Sequence, residues 1–521
     1  MRINPFKSIP SLTFAQKVSI IIILSTLFSL VLPVPKPAFI SYLLAACAFV
    51  IVGVPLFMFL SKKAHVYVIF ISIFLLSFGY ASLEILPAVY PFGRSVKVRI
   101  RLSSYPAVRG SNLQFTARVL EVESGEGKNP ESREFFSAFR RRGRVVFSMP
   151  FPRDPIVRGD IIETEGMFFP LPFDRSPGYA RYLQSTGIEA LLEGYRAKVD
   201  VVRRAGPLSP VHLSVNMRRY IERVHKRLLP PPHDAFATAL LTGNRDYIPG
   251  YLMESFRNSG TMHILAVSGL HVGFICLFVL FLLRLVRVPK LYTSVLLGLF
   301  IVFFMIFIGE RPSVRRASFM ALCGIACFLL DRDRDYLNVL ALAFIILWIM
   351  NPLSLLNPGF LLSFCATFGI LFLMPVLYRW LARFMPGFIA GSIAVTLSVQ
   401  LFIFPVMASF FGTFAWINVA ANLPIVPLTG ASLALGVITL VLYHVFLPLA
   451  VIFAEVNTVV IATIARVAVF FSRVPTLRIN IFPVWLIPFY LAAVTVLLAV
   501  CNERLRGTQE PEKIPDTGKR L

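Results

Sequence analysis

The stretch Gly260-Thr-Met-His-Ile-Leu-Ala-Val-Ser-Gly-Leu-His-Val-Gly273 sets two imidazoles and a hydroxyl in otherwise apolar sequence. Three chemistries would use such residues. A metal centre needs His263 and His271 on one ion, yet eight residues of continuous helix hold them about 12 Å apart along the axis and about 80° round it. A hydrolase would use Ser268 with His271, which approach each other at three residues' spacing on a helix. Ser268 lacks the Gly-x-Ser-x-Gly elbow, however, and no acid is placed to orient the ring. The third use is structural: Ser268-Gly269 and Gly273 permit either close helix packing or a break that lines a cavity with backbone groups. Elsewhere there is no Gly-x-x-x-x-Gly-Lys-Ser/Thr loop and no His-Glu-x-x-His, and the chain has only seven histidines. Those absences argue against a nucleotide-driven motor and a multi-histidine hydrolase. The chain reads as a non-enzyme with no metal and no cofactor. Cys47, Cys276, Cys323, Cys327, Cys365 and Cys501 all lie in apolar runs, so no disulfide is expected, and Cys323 with Cys327 reads as packing.

Further polar residues stand where an apolar setting makes them costly: Arg315, Arg316, Asn338, Gln400, Asn418, Asn422, Glu455, Asn457 and Arg466. Ionisable groups at such depth face a pathway or a partner, whereas a single Asn or Gln more often bonds a neighbouring helix. The elements that must carry them are membrane helices. At 521 residues, 57% hydrophobic and 15% charged, the chain has too little charge to cover a soluble surface. Windows of about 20 apolar residues fall near 18–35, 38–60, 65–90, 262–283, 291–309, 313–330, 336–350, 359–378, 387–411, 414–443, 446–471 and 482–501, so about twelve spans are expected. The first is not read as a cleaved signal, because two more follow at once. Seventeen Lys and Arg in the loops of one side oppose four on the other (Lys36, Arg311, Arg473 and Arg478). This bias predicts cytoplasmic termini and an exported 91–233.

Residues 91–205 change character. Val96, Val98 and Ile100 alternate with Lys97, Arg99 and Arg101, a strand with three cations on one face. Further strands are expected at 113–122, 144–149, 159–167, 187–193 and 197–203, which suits a small β-barrel or sandwich. The whole chain carries a net charge of +24. Residues 91–233 hold 25 Lys+Arg against 14 Asp+Glu, densest at Arg140, Arg141, Arg142 and Arg144. Such a surface suits either lipid headgroups or the phosphates of a nucleic-acid strand. Beyond it, Leu213, Met217, Ile221, Val224 and Leu228 fall on one helical face, with Arg218, Arg219, Glu222, Arg223, Lys226 and Arg227 on the other. This predicts a basic amphipathic helix in the interface. The expected domains are 1–90, three membrane helices; 91–205, the basic β-domain; 206–233, the amphipathic helix; 234–501, the main helical domain; and 502–521, a basic cytoplasmic tail.

Gly243-Asn-Arg-Asp246 and His263-Ile-Leu-Ala-Val-Ser-Gly-Leu-His271 resemble the signature of the ComEC-type competence proteins, inner-membrane channels for transforming DNA. The likeness continues through Pro312-Ser-Val-Arg-Arg-Ala317, Arg332 to Asp335, Pro358-Gly-Phe-Leu-Leu-Ser-Phe364, Gln400, Pro405, Asn422 and Pro427. In the exported part Gly159-Asp160, Ser176-Pro-Gly-Tyr, Tyr182-Leu and Gly187-Ile188 resemble the family's oligonucleotide-binding (OB) fold. The resemblance covers roughly residues 1–500. It implies a polytopic channel for single-stranded DNA in the bacterial plasma membrane, with Arg245, His263, Ser268, His271 and Arg316 lining or shaping the lane. Gly243, Asp246, Gly269, Ser363, Gln400 and Asn422 are the accompanying motif positions. On the exported domain Lys97, Arg99, Arg101, Arg140, Arg141, Arg142 and Arg144 would guide the strand, with Phe147 or Phe151 stacking bases. Implied partners are the bilayer, an external DNA receptor, a cytoplasmic ATPase or DNA-binding protein, and a separate nuclease. About twenty residues follow the last expected span, so the family's C-terminal metallo-β-lactamase-like nuclease domain is expected to be missing. Leu361 stands where the family commonly has Gln, and Ser176 where it commonly has Asn. Two rival readings stay open: a transporter of small anions or lipid-linked polymers, and a membrane-embedded serine hydrolase using Ser268 and His271.

Overall fold

A computed structural model describes residues 92–93, 95–109, 111–123, 143–152, 155–174, 177–194, 199–206, 209–309, 311–329, 335–479 and 490. The expected spans at 18–35, 38–60 and 65–90, that at 482–501 apart from Tyr490, and Arg140, Arg141, Arg142, Ser176 and Arg332 lie outside these residues. The described chain forms two compact units, one from 92–364 and 415–476, the other from 365–414, 477–479 and 490.

The first unit opens with a barrel. Its strands are β1 (Ser95–Leu102), β2 (Ala107–Arg109), β3 (Asn112–Glu123), β4 (Arg144–Pro150) and β5 (Ile161–Phe169), then, after helix α1 (Pro177–Ser185), β6 (Ala190–Gly194) and β7 (Asp200–Arg203). Alternation in β1 sends Val96, Val98, Ile100 and Leu102 inward. The pairing β1-β3-β4-β6-β5 closes on itself because β5 also pairs β1, so five strands make a continuous ring. Only β4 and β6 run parallel. Phe115, Phe147, Met149, Ile162, Phe168 and Leu192 fill the interior, each aromatic ring stabilising by about 1.5–3 kcal/mol. A buried Asp160 ties the barrel to the segment beyond β7: its carboxylate accepts from the Val157 and Ala205 backbone N–H groups, both at 3.1 Å.

Helix α2 (Pro210–Leu228) comes next, begun by Ser209, whose side chain accepts from the His212 N–H, and by Pro210 in the first turn. Instead of turning one apolar face to the interface as expected, the helix buries Ile221, Val224 and Arg218 in the protein and leaves Leu213 and Met217 exposed. The face that packs is thus rotated from the one the apolar spacing selects, because the open carbonyls at the end of a later helix draw Arg218 inward. Short helices α3 (His233–Thr242), α4 (Gly250–Asn258) and α5 (Met262–Leu265) lead to α6 (Gly269–Leu285), α7 (Lys290–Ile308), α8 (Pro312–Leu329) and α9 (Tyr336–Met350). A 3-10 turn (Pro352–Leu356) precedes α10 (Pro358–Phe372), which runs into the second unit, and α13 (Asn418–Val445) and α14 (Leu447–Phe471) complete the first. The second unit holds α11 (Met374–Leu381), bent 48° from α10, and α12 (Gly387–Phe411), with the two-residue strands β8 (Thr413–Phe414) and β9 (Leu477–Arg478) paired. Leu373 and Phe402 form its core, with Phe368 packed against them.

The windows expected between 262 and 471 fall largely on helix, apart from residues 266–268 and 414–417. Among the described residues α7, α12, α13 and α14 are long and apolar enough to cross a bilayer, and the bent α10–α11 pair would be a fifth; α6 and α9 are apolar but shorter. The chain is a mostly helical membrane protein carrying a small β-barrel.

Candidate nucleic-acid interface and translocation site

The segment 260–273 is not one helix. It breaks at 266–268, where Ala266 and Ser268 are extended, and α6 starts afresh at Gly269. The axial separation expected of His263 and His271 therefore does not apply, and the two rings lie within electrostatic reach of each other. Ser268 and His271 make a capping box over the start of α6. His271 Nδ1 accepts the Ser268 backbone N–H at 3.3 Å and lies 3.1 Å from Ser268 Oγ. That arrangement leaves the Nε2 side of a ring only 1% exposed without a hydrogen-bond partner among the described residues.

Neighbouring elements hold the break. Arg245, between α3 and α4, donates from Nε to the Leu265 carbonyl at 2.8 Å, and Ser313 Oγ of α8 donates to the Val267 carbonyl at 3.1 Å. These bonds satisfy carbonyls that an interrupted helix leaves unpaired. Gly269 leaves room for Arg316: a Cβ there would lie 3.0 Å from Arg316 Nη2, so the guanidinium would have to give by a few tenths of an ångström. Gly260 is required twice over, with φ +73° and a would-be Cβ 2.7 Å from Asn418 Cβ at the start of α13. Arg316 is buried, its guanidinium 6.0 Å from the Phe364 ring centroid and its Nε unpartnered among the described residues. The side-chain oxygens of Asn418 and Asn422 are unpartnered in the same sense. His263 is exposed. Buried polar atoms without partners cost about 1–3 kcal/mol each. Gly243 closes α3 in the left-handed conformation, and Asp246 is exposed beside it. Ser363 lies on α10 in the same unit, while Gln400 is buried on α12 of the other.

The barrel's cations divide into two sets. Lys97 pairs with Glu163, and Arg99 with Glu121 and Glu163, so these two are neutralised across the sheet. Lys97 and then Arg99 hold the Glu163 carboxyl below the usual carboxylate range. Arg101 belongs to the other set. Pairing places it opposite Arg118 of β3, which is opposite Arg144 of β4, a row of three guanidiniums across three strands. Arg118 escapes a sequence reading because the row depends on the bulge between Arg99 and Ile100. Phe147 cannot stack bases as expected: it is 0% exposed and fills the barrel core, because the alternation of β4 turns it inward, while Phe151 is 53% exposed.

Barrel and helices meet at the C-terminal end of α7. Arg218 of α2 donates to the carbonyls of Phe307 (3.1 and 2.9 Å) and Ile308 (3.1 Å), and its guanidinium stacks 3.6 Å from the Tyr105 ring centroid. Arg158 and Tyr105, both from the barrel, donate to Ile306 (2.6 Å) and Phe307 (3.1 Å). The last carbonyls of a helix lack internal donors and carry its negative end, which is why Arg218 turns inward. Burial, reinforced by the charges of Arg311 and Arg158, pushes Arg218 down to about 10, against the opposing influence of Tyr105. On the outer face of α2 a recess of about 430 Å³ is lined by Asn216, Arg219, Glu222, Arg223 and Lys226.

Comparison with known proteins bears on the helical part. A family model described as "Competence protein" matches residues 240–504, just over half of the chain. The chain belongs to the competence protein family. It is 28% identical over 213 residues to "ComE operon protein 3" of Bacillus subtilis, covering 41% of this chain and 27% of that protein. It is 29% identical over 165 residues to an uncharacterized protein of Aquifex aeolicus, covering 31% and 38%. The matched part is thus well under half the length of either relative. No solved structure matches. The competence match takes in the break, its arginines and α6 to α14, and begins beyond the barrel.

Proposed function

We propose that this competence protein is a channel that passes single-stranded DNA through the plasma membrane into the cytoplasm during natural transformation. The observation that carries the reading is the interrupted helix at 266–268, inside the family match, whose carbonyls Arg245 and Ser313 hold and beside which Arg316 and the unpartnered side of His271 stand. A polyanion crossing a bilayer needs such a lane, with contacts weak enough to release each phosphate. Arg245, His263, Ser268, His271 and Arg316 are its proposed lining or shaping residues, with Gly243, Asp246, Gly269, Ser363 and Asn422 supporting them. The barrel is read as an OB-fold, supported by its closed five-stranded ring, and as the receiving domain outside the membrane. Arg101, Arg118 and Arg144 guide the strand there, joined by Arg140, Arg141 and Arg142. About twelve spans and cytoplasmic termini complete the topology. Force comes from a cytoplasmic partner, since the sequence has no nucleotide-binding loop, and an external receptor delivers the DNA.

The test is uptake of labelled DNA by cells carrying His271→Ala, with membrane insertion followed in parallel. Loss of uptake at normal insertion is the expected result; near-normal uptake would reduce His271 to a packing residue. The hydrolase reading is disfavoured by the capping geometry, in which the Ser268 backbone N–H occupies His271 Nδ1 and no acid among the described residues meets Nε2. A serine-directed fluorophosphonate should leave the protein unlabelled. A transporter of small anions would bind no DNA strand when the full chain is titrated in nanodiscs.

A further inference from the structure

Helix α2 lies across the ends of two apolar helices. At Arg218 it bonds the Phe307 and Ile308 carbonyls that end α7. Two residues later the Tyr220 hydroxyl donates to the Leu440 carbonyl of α13 at 2.7 Å, and its ring stacks on His444 with centroids 5.3 Å apart. Near the end of α2, Arg227 donates from Nη1 to the Tyr443 hydroxyl at 2.8 Å. Both α7 and α13 are long and apolar enough to cross a bilayer, and both meet α2 through their C-terminal turns. The helix therefore sits at the level where apolar span gives way to headgroups. Val441 and Val445, on those same turns of α13, are 58% and 75% exposed, an apolar surface of the kind that acyl chains cover.

The outer face of α2 holds the recess of about 430 Å³, and three of its five lining residues are cations, Arg219, Arg223 and Lys226. None of the three pairs with a carboxylate among the described residues. Arg223 is laid along the helix by a bond from Nε to the Arg219 carbonyl at 3.3 Å, and its two terminal nitrogens bond no protein group among the described residues. Lys226 stands over the Tyr247 ring, Nζ 5.0 Å from the centroid. The one acid of the recess, Glu222, accepts from Asn244 Nδ2 at 3.2 Å. The 243–248 segment thus steadies the recess at two points, and its cations are set for an anion.

We propose that this recess seats the phosphate headgroup of an anionic phospholipid, with Arg219, Arg223 and Lys226 around the headgroup and the acyl chains toward the exposed end of α13. Cations and tyrosines gathered at the end of a span are the general means of holding anionic headgroups. Position favours a lipid over a nucleic-acid strand, because Met217 beside the recess is also exposed and offers an apolar flank that strand phosphates would not use. The site does not depend on the single-strand reading of the protein.

The full chain in a neutral maltoside detergent is titrated with fluorescent phosphatidylglycerol and with phosphatidylcholine of the same acyl chains. The wild type should bind phosphatidylglycerol roughly tenfold or more tighter. Arg219→Gln with Arg223→Gln should lose most of that preference, at about fivefold per cation, while keeping the thermal midpoint of the wild type. Glu222→Gln, whose amide oxygen still accepts from Asn244, should tighten phosphatidylglycerol and leave phosphatidylcholine unchanged. In phosphatidylcholine nanodiscs the double variant should bind an oligothymidylate of about 20 nucleotides as the wild type does. The proposal is overturned if the two lipids bind the wild type alike, or if the double variant keeps the preference. It is equally overturned if the double variant weakens the oligonucleotide and not phosphatidylglycerol, which would give the recess to a strand.

Discussion

Arg218 meets no carboxylate among the described residues; its guanidinium serves the last carbonyls of α7 and lies flat on Tyr105. Removing it strands those carbonyls in a buried setting. Arg218→Ala should destabilise the protein by about 2–4 kcal/mol, read as a lower thermal midpoint in detergent, and Lys should restore little because it lacks the fork. A second buried residue of the same helix makes stability depend on pH. His225 bonds Thr238 through Nδ1 at 3.0 Å, and burial pushes it from 6.5 down to about 4. Its folded value lies below its unfolded one, so the stabilisation is complete above pH 6.5 and is lost as pH falls from there toward 4. The drop in thermal midpoint between pH 7.5 and 5 should shrink in His225→Gln. On the barrel, Glu121→Gln with Glu163→Gln should remove two acids that pair with Lys97 and Arg99, raising strand affinity and steepening the salt slope. Mild acid should not mimic this, because Lys97 keeps Glu163 ionised below its ordinary value of 4.5.

At the scale of elements, the strands are readable because their alternation is local: β1, β3 and β4 lie where inward Val, Ile and Phe recur every second residue. Helix α1 is not, since Pro177-Gly178 at its start reads as a turn and its apolar positions are few. The closing pair β1–β5 joins segments far apart in sequence, and nothing in either strand announces it. The same limit hides the Arg101–Arg118–Arg144 row, which exists only in register. In α2 the spacing of Leu213 and Met217 selects one face, but the carbonyl end of α7 draws Arg218 in and turns another face inward. The interrupted helix is half legible: Ser268-Gly269 marks the place, while the donors that stabilise it, Arg245 and Ser313, come from outside it. Gly269→Ala tests the element directly. A Cβ 3.0 Å from Arg316 Nη2 presses on that guanidinium, so uptake should fall while membrane insertion, followed by fractionation, stays normal.

For the molecule as a whole, the first unit is joined through a few long-range hydrogen bonds at one helix end. Tyr105 and Arg158 reach α7 from the barrel, and Ser214 and Arg218 meet them from α2. Tyr105→Phe with Arg158→Ala should loosen the barrel without unfolding it, since neither residue belongs to its interior core. Limited proteolysis should then cut faster in the connection at 204–209.

That same junction imposes an order on biogenesis. Tyr105 and its acceptor Phe307 are 202 residues apart in the chain, so at ribosomal speeds of about 5–20 residues per second Tyr105 is made roughly 10–40 s before its acceptor. The strands that close the ring all precede residue 204, so the ring can form while the ribosome is still making the helix that will receive it. A nascent chain arrested before residue 306 should therefore carry a finished but undocked barrel, cleavable at 204–209, and one extended through Gly309 should be protected there.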